Sequence, residues 1–406
     1  MRILFLTDNF PPEVNAPANR TYEHCKEWVK HGVDVTVITC APNFPKGEVY
    51  PGYKNKWKQE EVMDGIRVIR VWSYITKNEG FVKRILDYIS YAITAFWAGL
   101  FVKTDLIVAT SPQFFTAVSG RYLSFFKRKP WVMEVRDLWP ESIVAVGAMK
   151  KNMAIRYFEW LEKRLYKSAS KIIVVTDTFK EKIIEKGIIA SKISVFKNGA
   201  NLELFVPQPK PENLLEKFGL KDKTVFAYIG THGMAHGLSF ILESIESLQE
   251  SHPHFHFLFI GDGAERKNLV KKAGAINLEN VTFIESVSKK QVVNYLSVMD
   301  VALVNLKKSD TFLTVIPSKI FEAAAMEKPI LLGLQGETKG IIEKYNAGLC
   351  YEPENKEEFI KQAIKLVEPE IYKEKKQGCK ALAQAFDRKK IALELLEDLK
   401  TDSDRI

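Results

Sequence analysis

Ile316-Pro317-Ser318-Lys319-Ile320-Phe321-Glu322-Ala323-Ala324-Ala325-Met326-Glu327-Lys328-Pro329-Ile330 reads as a polar loop, a short helix of small residues, and a buried strand opened by Pro329. Helices and strands alternating in this way belong to a parallel sheet covered on both faces. The first turn of such a helix leaves backbone N–H groups without intrahelical partners, and these suit a diphosphate. Lys319 can add a fixed positive charge beside them. Glu322, about one turn further in, is a carboxylate able to accept hydrogen bonds from two ribose hydroxyls. The same residues would also serve as a plain buried turn, so the reading rests on the rest of the chain.

The alternation extends outward in both directions. Met1–Thr7 reads as a strand, Phe10–Arg20 as a proline-containing loop, Thr21–His31 as an amphipathic helix stopped by Gly32, and Val33–Thr39 as a buried strand. Apolar runs at Ile66–Trp72, Asp105–Thr110, Trp131–Arg136, Lys171–Thr176 and Ile193–Phe196 continue the set. Pro207-Gln208-Pro209-Lys210-Pro211 reads as a stiff linker. Beyond it, strands are expected at Thr224–Ile229, Phe255–Ile260, Val281–Ile284, Val301–Val304 and Pro329–Leu332, and the tail from about Glu357 is helical. The predicted class is α/β, with two Rossmann-like doubly wound parallel-sheet domains at residues 1–205 and 206–385. A C-terminal helix, residues 386–406, is expected to pack back on the first domain. Ligands of such sheets bind beyond the carboxyl ends of the strands, so two facing halves imply a cleft.

Composition narrows the function. A chain of 406 residues has room for two or three domains at ~150 residues each. Its four cysteines show no CxxC spacing, which argues against a zinc site or a disulfide framework and fits a reducing compartment. The apolar run after Arg2 is too short for a signal peptide. Residues 1–205 hold 31 Lys/Arg against 21 Asp/Glu, while the remainder holds 28 against 29. A basic first half suits an anionic partner: a lipid surface, a lipid-linked diphosphate or nucleic acid. No zinc-finger spacing, basic heptad helix or RRM-like aromatic motif is present, which sets nucleic acid aside. His252, His254 and His256 alternate into a strand and read as a turn rather than a metal site. No GxGxxG follows the first strand and no GxxxxGK[ST] occurs, which disfavours a dinucleotide dehydrogenase and excludes a P-loop.

Four further segments carry candidate chemistry. Thr7-Asp8-Asn9-Phe10-Pro11-Pro12-Glu13-Val14-Asn15-Ala16 ends the first strand, with Arg20 just beyond. Glu134-Val135-Arg136-Asp137-Leu138-Trp139-Pro140-Glu141-Ser142 ends a buried strand with charges that must be paired or face a cleft. Tyr228-Ile229-Gly230-Thr231-His232-Gly233-Met234-Ala235-His236-Gly237 is a Gly-rich turn whose N–H groups could hold phosphate oxygens. Gly261-Asp262-Gly263-Ala264-Glu265-Arg266 is a tight turn opening a helix.

In this order, together with the Glu322 segment and the Asn198-Gly199 turn, these stretches resemble retaining GT-B glycosyltransferases of family 4. The Asp137–Ser142 run resembles bacterial transferases of surface polysaccharides, including the N-acetyl-fucosamine type. The resemblance implies a GT-B fold, a UDP-linked sugar donor, a polyprenyl-diphosphate-linked saccharide acceptor, and transfer with retention during O-antigen or capsule assembly. It implies neither a cofactor nor a metal. It places the donor on Gly230, Thr231, His232, Gly233, His236, Gly261, Gly263, Arg266, Thr314, Val315, Ile316, Ser318, Lys319 and Glu322. The acceptor falls to Asn15, Ala16, Arg20, Arg136 and Glu141, and catalysis to Arg136, Asp137, Lys319 and Glu322. Asn15-Ala16 stands where relatives often have a glycine pair, and Arg136 where many have His. His232 and His236 replace the usual Arg and Lys, and Thr314 replaces the first of two paired glutamates. Two other readings stay open: a UDP-sugar 2-epimerase of the same fold, and a non-catalytic sugar-nucleotide-binding protein.

Ile85–Val102 contains only one charged residue, Asp87, and is rich in Tyr, Ile, Phe and Trp. Lying between two expected strands, it reads as a helix buried in the domain or resting on a bilayer surface. Phe125-Phe126-Lys127-Arg128-Lys129 and Met149-Lys150-Lys151 add apolar and basic tips. These favour peripheral contact with the inner face of the cell membrane and a cytoplasmic location.

Overall fold

Alternate side chains of a strand face opposite sides of its sheet, and the first strand shows the consequence directly. Leu4 and Leu6 enter one apolar cluster while Ile3 and Phe5 enter another, so helices cover both faces. The computed structural model describes residues 1–76, 81–111, 113–145 and 152–403. Pro112 and the Met149-Lys150-Lys151 tip lie outside these residues. The chain divides into two compact units: Met1–Lys197 with Arg388–Ile406, and Asn198–Asp387. The division falls ahead of the Pro-rich stretch because Ala200 and Phe205 belong to the second core, with the Ala200 N–H donating to the Phe386 carbonyl at 3.1 Å.

The first unit holds strands β1 (Arg2–Leu6), β2 (Asp34–Cys40), β3 (Lys58–Met63), β4 (Ile66–Val71), β5 (Leu106–Thr110), β6 (Trp131–Val135), β7 (Lys171–Val174) and β8 (Ile193–Val195). Their order is β3-β4-β2-β1-β5-β6-β7-β8. All neighbours are parallel except β3 and β4. The β3–β4 hairpin departs from the expected all-parallel sheet. Its turn is Asp64-Gly65, both at positive φ, as a two-residue hairpin turn requires. Helices Phe81–Leu100, Phe114–Lys127 and Met153–Ser168 cover one face; Ala16–Lys30 and Arg388–Ser403 cover the other. The helix Ala16–Lys30 begins earlier than its apolar periodicity suggests. Pro17 is tolerated in its first turn, and Asn15 caps it by accepting the Ala18 N–H at 2.8 Å.

The second unit holds β9 (Thr224–Ile229), β10 (Phe255–Ile260), β11 (Val281–Ile284), β12 (Val301–Asn305), β13 (Ile330–Gly333) and β14 (Gly348–Cys350). The order is β11-β10-β9-β12-β13-β14, parallel throughout. The chain builds outward from β9 and then reverses direction, which puts a topological switch point between β9 and β12. In the first unit the corresponding point lies between β1 and β5.

Candidate functional site: the Gly turns of the second unit and the strand ends of the first

At the carboxyl ends of β9 and β10, beside the β9–β12 switch point, two Gly turns are pressed together. A Cβ on Gly261 would lie 2.0 Å from the Gly230 carbonyl oxygen, and one on Gly263 would lie 2.5 Å from that of His232. Only glycine permits this approach. The contact uses much of the expected phosphate cradle. The Gly230 N–H donates to Ile260 O at 2.8 Å, the His232 N–H to Asp262 O at 2.9 Å, and the Gly261 N–H to Ile284 O at 3.0 Å. Of the turn 230–233, Thr231 and Gly233 are the residues whose amides keep no backbone acceptor among the described residues. The expectation that all four would serve a ligand is corrected accordingly.

The short helix Lys319–Ala325 begins beside these turns. Lys319 Nζ donates to the Tyr228 hydroxyl at 2.6 Å and sits 3.8 Å from that ring's centre. Gly230 leaves room for it, since a Cβ there would lie 2.5 Å from Lys319 Cε. Burial lowers the Lys319 ammonium to about 7, partly opposed by the charge of Glu322. Glu322 lies one turn on, and both side chains line a cavity of about 20 Å³ against β9 and β12, room for about one water. The amides of Ile320, Phe321 and Glu322 bond back to Pro317 and Ser318. Among the described residues, the donors left at this helix start are those of Ser318 and Lys319.

His232 is fully buried, and neither ring nitrogen has a hydrogen-bond partner among the described residues. Burial, with Arg266 and Lys319 nearby, lowers it to about 4; burial and Lys319 do the same for His236. Neither supplies positive charge at neutral pH, leaving that to Arg266 and, only in part, to Lys319, whose charge is therefore not the fixed one expected from the sequence. Arg266 Nε donates to the Gly261 carbonyl at 3.2 Å, which ties its guanidinium to the second turn. Thr314 sits at the end of the 3-10 turn Asp310–Thr314, its hydroxyl directed to Thr311 O at 3.4 Å. The Val315 amide is used by Phe312 O at 3.1 Å, and its carbonyl accepts the Thr338 hydroxyl at 2.6 Å, so this loop is pinned from behind. Ile316 packs against the apolar core.

In the first unit, Arg136 emerges at the carboxyl end of β6. Its amide donates to Ser111 Oγ at 2.7 Å, and its guanidinium reaches Pro17 O at 3.3 Å. Burial lowers it to about 10, against the pull of Glu134. No carboxylate lies within ion-pair distance of it among the described residues, so it can meet an anion. Asp137 accepts the Ser142 hydroxyl at 2.9 Å, and burial raises its carboxyl. Arg20, expected at the acceptor, is buried instead. It pairs with Glu134 at 3.1 Å and donates to the Phe196 and Lys197 carbonyls. Asn15 is occupied as a helix cap and bonds Asn9 at 2.7 Å, while Ala16 is simply the first helical residue. Glu141 pairs with Lys182 at 2.5 Å on the surface. Arg20, Asn15 and Ala16 therefore shape the core and the first loop rather than offer free recognition groups, and Glu141 is engaged at the surface.

Three useful residues escaped the sequence reading. Tyr228 supports Lys319. Asn305 donates to His236 O at 2.8 Å and accepts the Tyr351 hydroxyl at 2.8 Å. Ser111 holds the Arg136 backbone. Asn305 carried a signal, as a polar residue closing an apolar strand; Ser111 and Tyr228 did not stand out. A larger cavity, about 420 Å³, lies along edge strand β14 and shares no residue with the Gly turns. Among the described residues, no group of three His, Cys, Asp or Glu side chains is placed to hold a metal ion.

Two doubly wound parallel-sheet units, each with its own topological switch point, define the class: a GT-B fold. Residues 15–199 match the family described as Glycosyl transferase 4-like domain, and residues 211–384 match Glycosyl transferases group 1. The chain is a glycosyltransferase that joins one domain of each. It is 25% identical over 381 residues to the Escherichia coli K12 protein WcaI, named as a colanic acid biosynthesis glycosyl transferase, covering 90% of this chain and 93% of that one. It is 29% identical over 235 residues to the Pseudomonas aeruginosa protein WbjE, named as a glycosyltransferase, covering 56% of each. Among solved structures, Anabaena HepE in complex with UDP and glucose superposes with a TM-score of 0.73 at 17% identity, covering 99% of this chain and 100% of that one.

Proposed function

We propose that the chain transfers a sugar, with retention at the anomeric carbon, from a UDP-linked donor to a polyprenyl-diphosphate-linked saccharide during O-antigen or capsule assembly. The observation that carries this reading is the Lys319–Glu322 turn beside Gly230, at the switch point of the second unit. There an ammonium can face a diphosphate while a carboxylate one turn away accepts ribose hydroxyls. Similarity to WcaI and to the UDP-bound HepE fold supports both the pathway and the nucleotide. In the reaction, the bond from the anomeric carbon to the diphosphate oxygen breaks and a bond to the acceptor oxygen forms. The acceptor proton passes to the departing phosphate. Lys319, Arg266 and the remaining turn amides stabilise the charge that develops there, and no metal or cofactor is assigned a part. Arg136 meets the acceptor diphosphate at the end of β6, and Asp137 lies beside it. The enzyme works in the cytoplasm at the inner face of the membrane, and donors of the N-acetyl-fucosamine type suit the resemblance to surface-polysaccharide transferases.

The test is calorimetric titration of UDP, GDP and ADP into the wild type and Glu322→Ala. UDP-selective binding that weakens by roughly 1–3 kcal/mol on substitution supports the assignment. Binding indifferent to Glu322, or to the base, removes the second unit as a UDP-sugar donor domain.

A further inference from the structure

Eleven of the 23 large apolar side chains exposed among the described residues lie on three segments of the first unit, residues 81–103, 114–129 and 153–168. The helices in these segments cover the same face of the first sheet through one apolar cluster. Their exposed side chains therefore look away from the sheet. The cluster is densest where two helices end together. Trp97 packs on Phe96, Phe96 on Phe126 and Phe126 on Phe125, with ring centres 5.5–5.7 Å apart. Lys127 Nζ donates to Leu100 O at 3.0 Å and locks the two ends. Phe101, next in the chain, is 84% exposed, and Phe125 is 76% exposed. On the third helix Tyr157 stacks on Trp160 at 5.7 Å, and Arg164 lies 4.5 Å over the Trp160 ring.

The charge around these rings is one-sided. The three segments expose nine Lys and Arg side chains and a single acid, Glu159. Asp87 is half-buried, and Glu162 is buried and paired with Lys186 at 2.8 Å. A second copy of the chain would set these cations against their own kind, which disfavours self-association through this face. Aromatic and aliphatic tips surrounded by cations match the boundary between headgroups and acyl chains of an anionic bilayer. No described helix is long and apolar enough to cross a membrane.

We infer that this three-helix face of the first unit docks on anionic lipid, with Trp97, Phe101, Phe125 and Phe126 entering the headgroup layer. The inference deepens the lipid-linked acceptor reading and rests on it for its purpose, although the surface can be tested alone.

The experiment is cosedimentation of the full chain with phosphatidylcholine vesicles, and with vesicles in which a third of the lipid is phosphatidylglycerol. The expected result is binding to the anionic vesicles only, reversed by high salt. Phe125→Ser with Phe126→Ser, and separately Arg128→Glu with Lys129→Glu, should each weaken it roughly tenfold or more. Thermal unfolding and UDP binding of the same preparations establish that the variants are folded. Wild-type protein left in the supernatant, or variants that bind as well as wild type, would overturn the proposal. So would self-association, seen by light scattering, that these substitutions abolish without affecting lipid binding. Absence of vesicle binding with UDP binding intact refutes the docking face alone; absence of UDP binding with vesicle binding intact refutes the donor assignment alone.

Discussion

Lys319 shows how a single residue's environment sets the behaviour of a binding site. Its ammonium, against the Tyr228 ring and hydroxyl, is held at about 7 by burial. A bound diphosphate favours the charged form, so binding takes up a proton wherever the empty site is neutral. Affinity for a UDP-sugar, whose diphosphate does not titrate near neutrality, should be nearly flat below pH 7 and should fall as the pH rises past it. Lys319→Met should weaken binding by about 1–3 kcal/mol and flatten that profile. Calorimetry from about pH 6 to about pH 9 in two buffers of different ionisation enthalpy measures both the slope and the proton. A wild-type profile that stays level through this range would mean that Lys319 keeps its charge in the empty site. His232 and His236 should not contribute to this profile, since both stay neutral down to about 4.

At the scale of the element, the two Gly turns act as one unit because their backbones touch. Gly261→Ala places a methyl group 2.0 Å from a carbonyl oxygen at a φ of +140. It should destabilise the second unit by about 1–3 kcal/mol or more and displace Gly230. Gly340, in the helix Glu337–Tyr345, has nothing within 4 Å of the same position and no positive φ. Gly340→Ala should therefore be neutral or stabilise by up to about 1 kcal/mol. Urea unfolding of the two variants compares them directly, and equal midpoints would contradict the packing described. At the other switch point, Asn15→Ala removes the cap of the helix Ala16–Lys30 and should cost about 1 kcal/mol. If Asn15 touched the acceptor instead, turnover would drop by more than this loss of stability explains.

At the scale of the molecule, the first unit closes with residues from both ends of the chain. Trp28 Nε1 donates to Ala392 O at 2.7 Å, Arg388 pairs with Glu23 at 2.7 Å, and Leu395, Leu396 and Leu399 complete the core around Trp28. Arg20 and Glu134 form a buried ion pair within the same unit, and removing one partner of such a pair typically costs 3–5 kcal/mol. All seven tryptophans lie within residues 1–197, so their fluorescence reports this unit alone. Arg20→Ala should lower the fluorescence-detected unfolding midpoint strongly. Arg20→Met with Glu134→Gln should recover part of the loss, because no unpaired charge remains. A single substitution without effect on that midpoint would return Arg20 to the list of ligand-contacting residues.

The doubly wound class was readable because its signals are local. Continuous apolar runs such as Ile3–Leu6, which mark strands buried on both faces, and the spacing of Gly230, Gly233, Gly261 and Gly263 need no knowledge of distant contacts. The strands Thr224–Ile229, Phe255–Ile260 and Val281–Ile284 fall where their apolar runs place them. Strand β3 was not legible, since Lys58, Glu60 and Glu61 on an exposed edge carry no buried pattern. The state of the site depended on folding, because a hydrogen bond or a burial free energy belongs to a pair of groups. A partner 114 residues away made Arg20 part of the core rather than of the acceptor site. The carbonyls of Ile260 and Asp262 used amides that looked available for phosphate. Sequence spacing could bring Lys319 and Glu322 onto one helical turn. That the lysine would also lie against Tyr228, far enough from water to titrate near neutrality, followed from the packing of strand ends that the chain brings together only when folded.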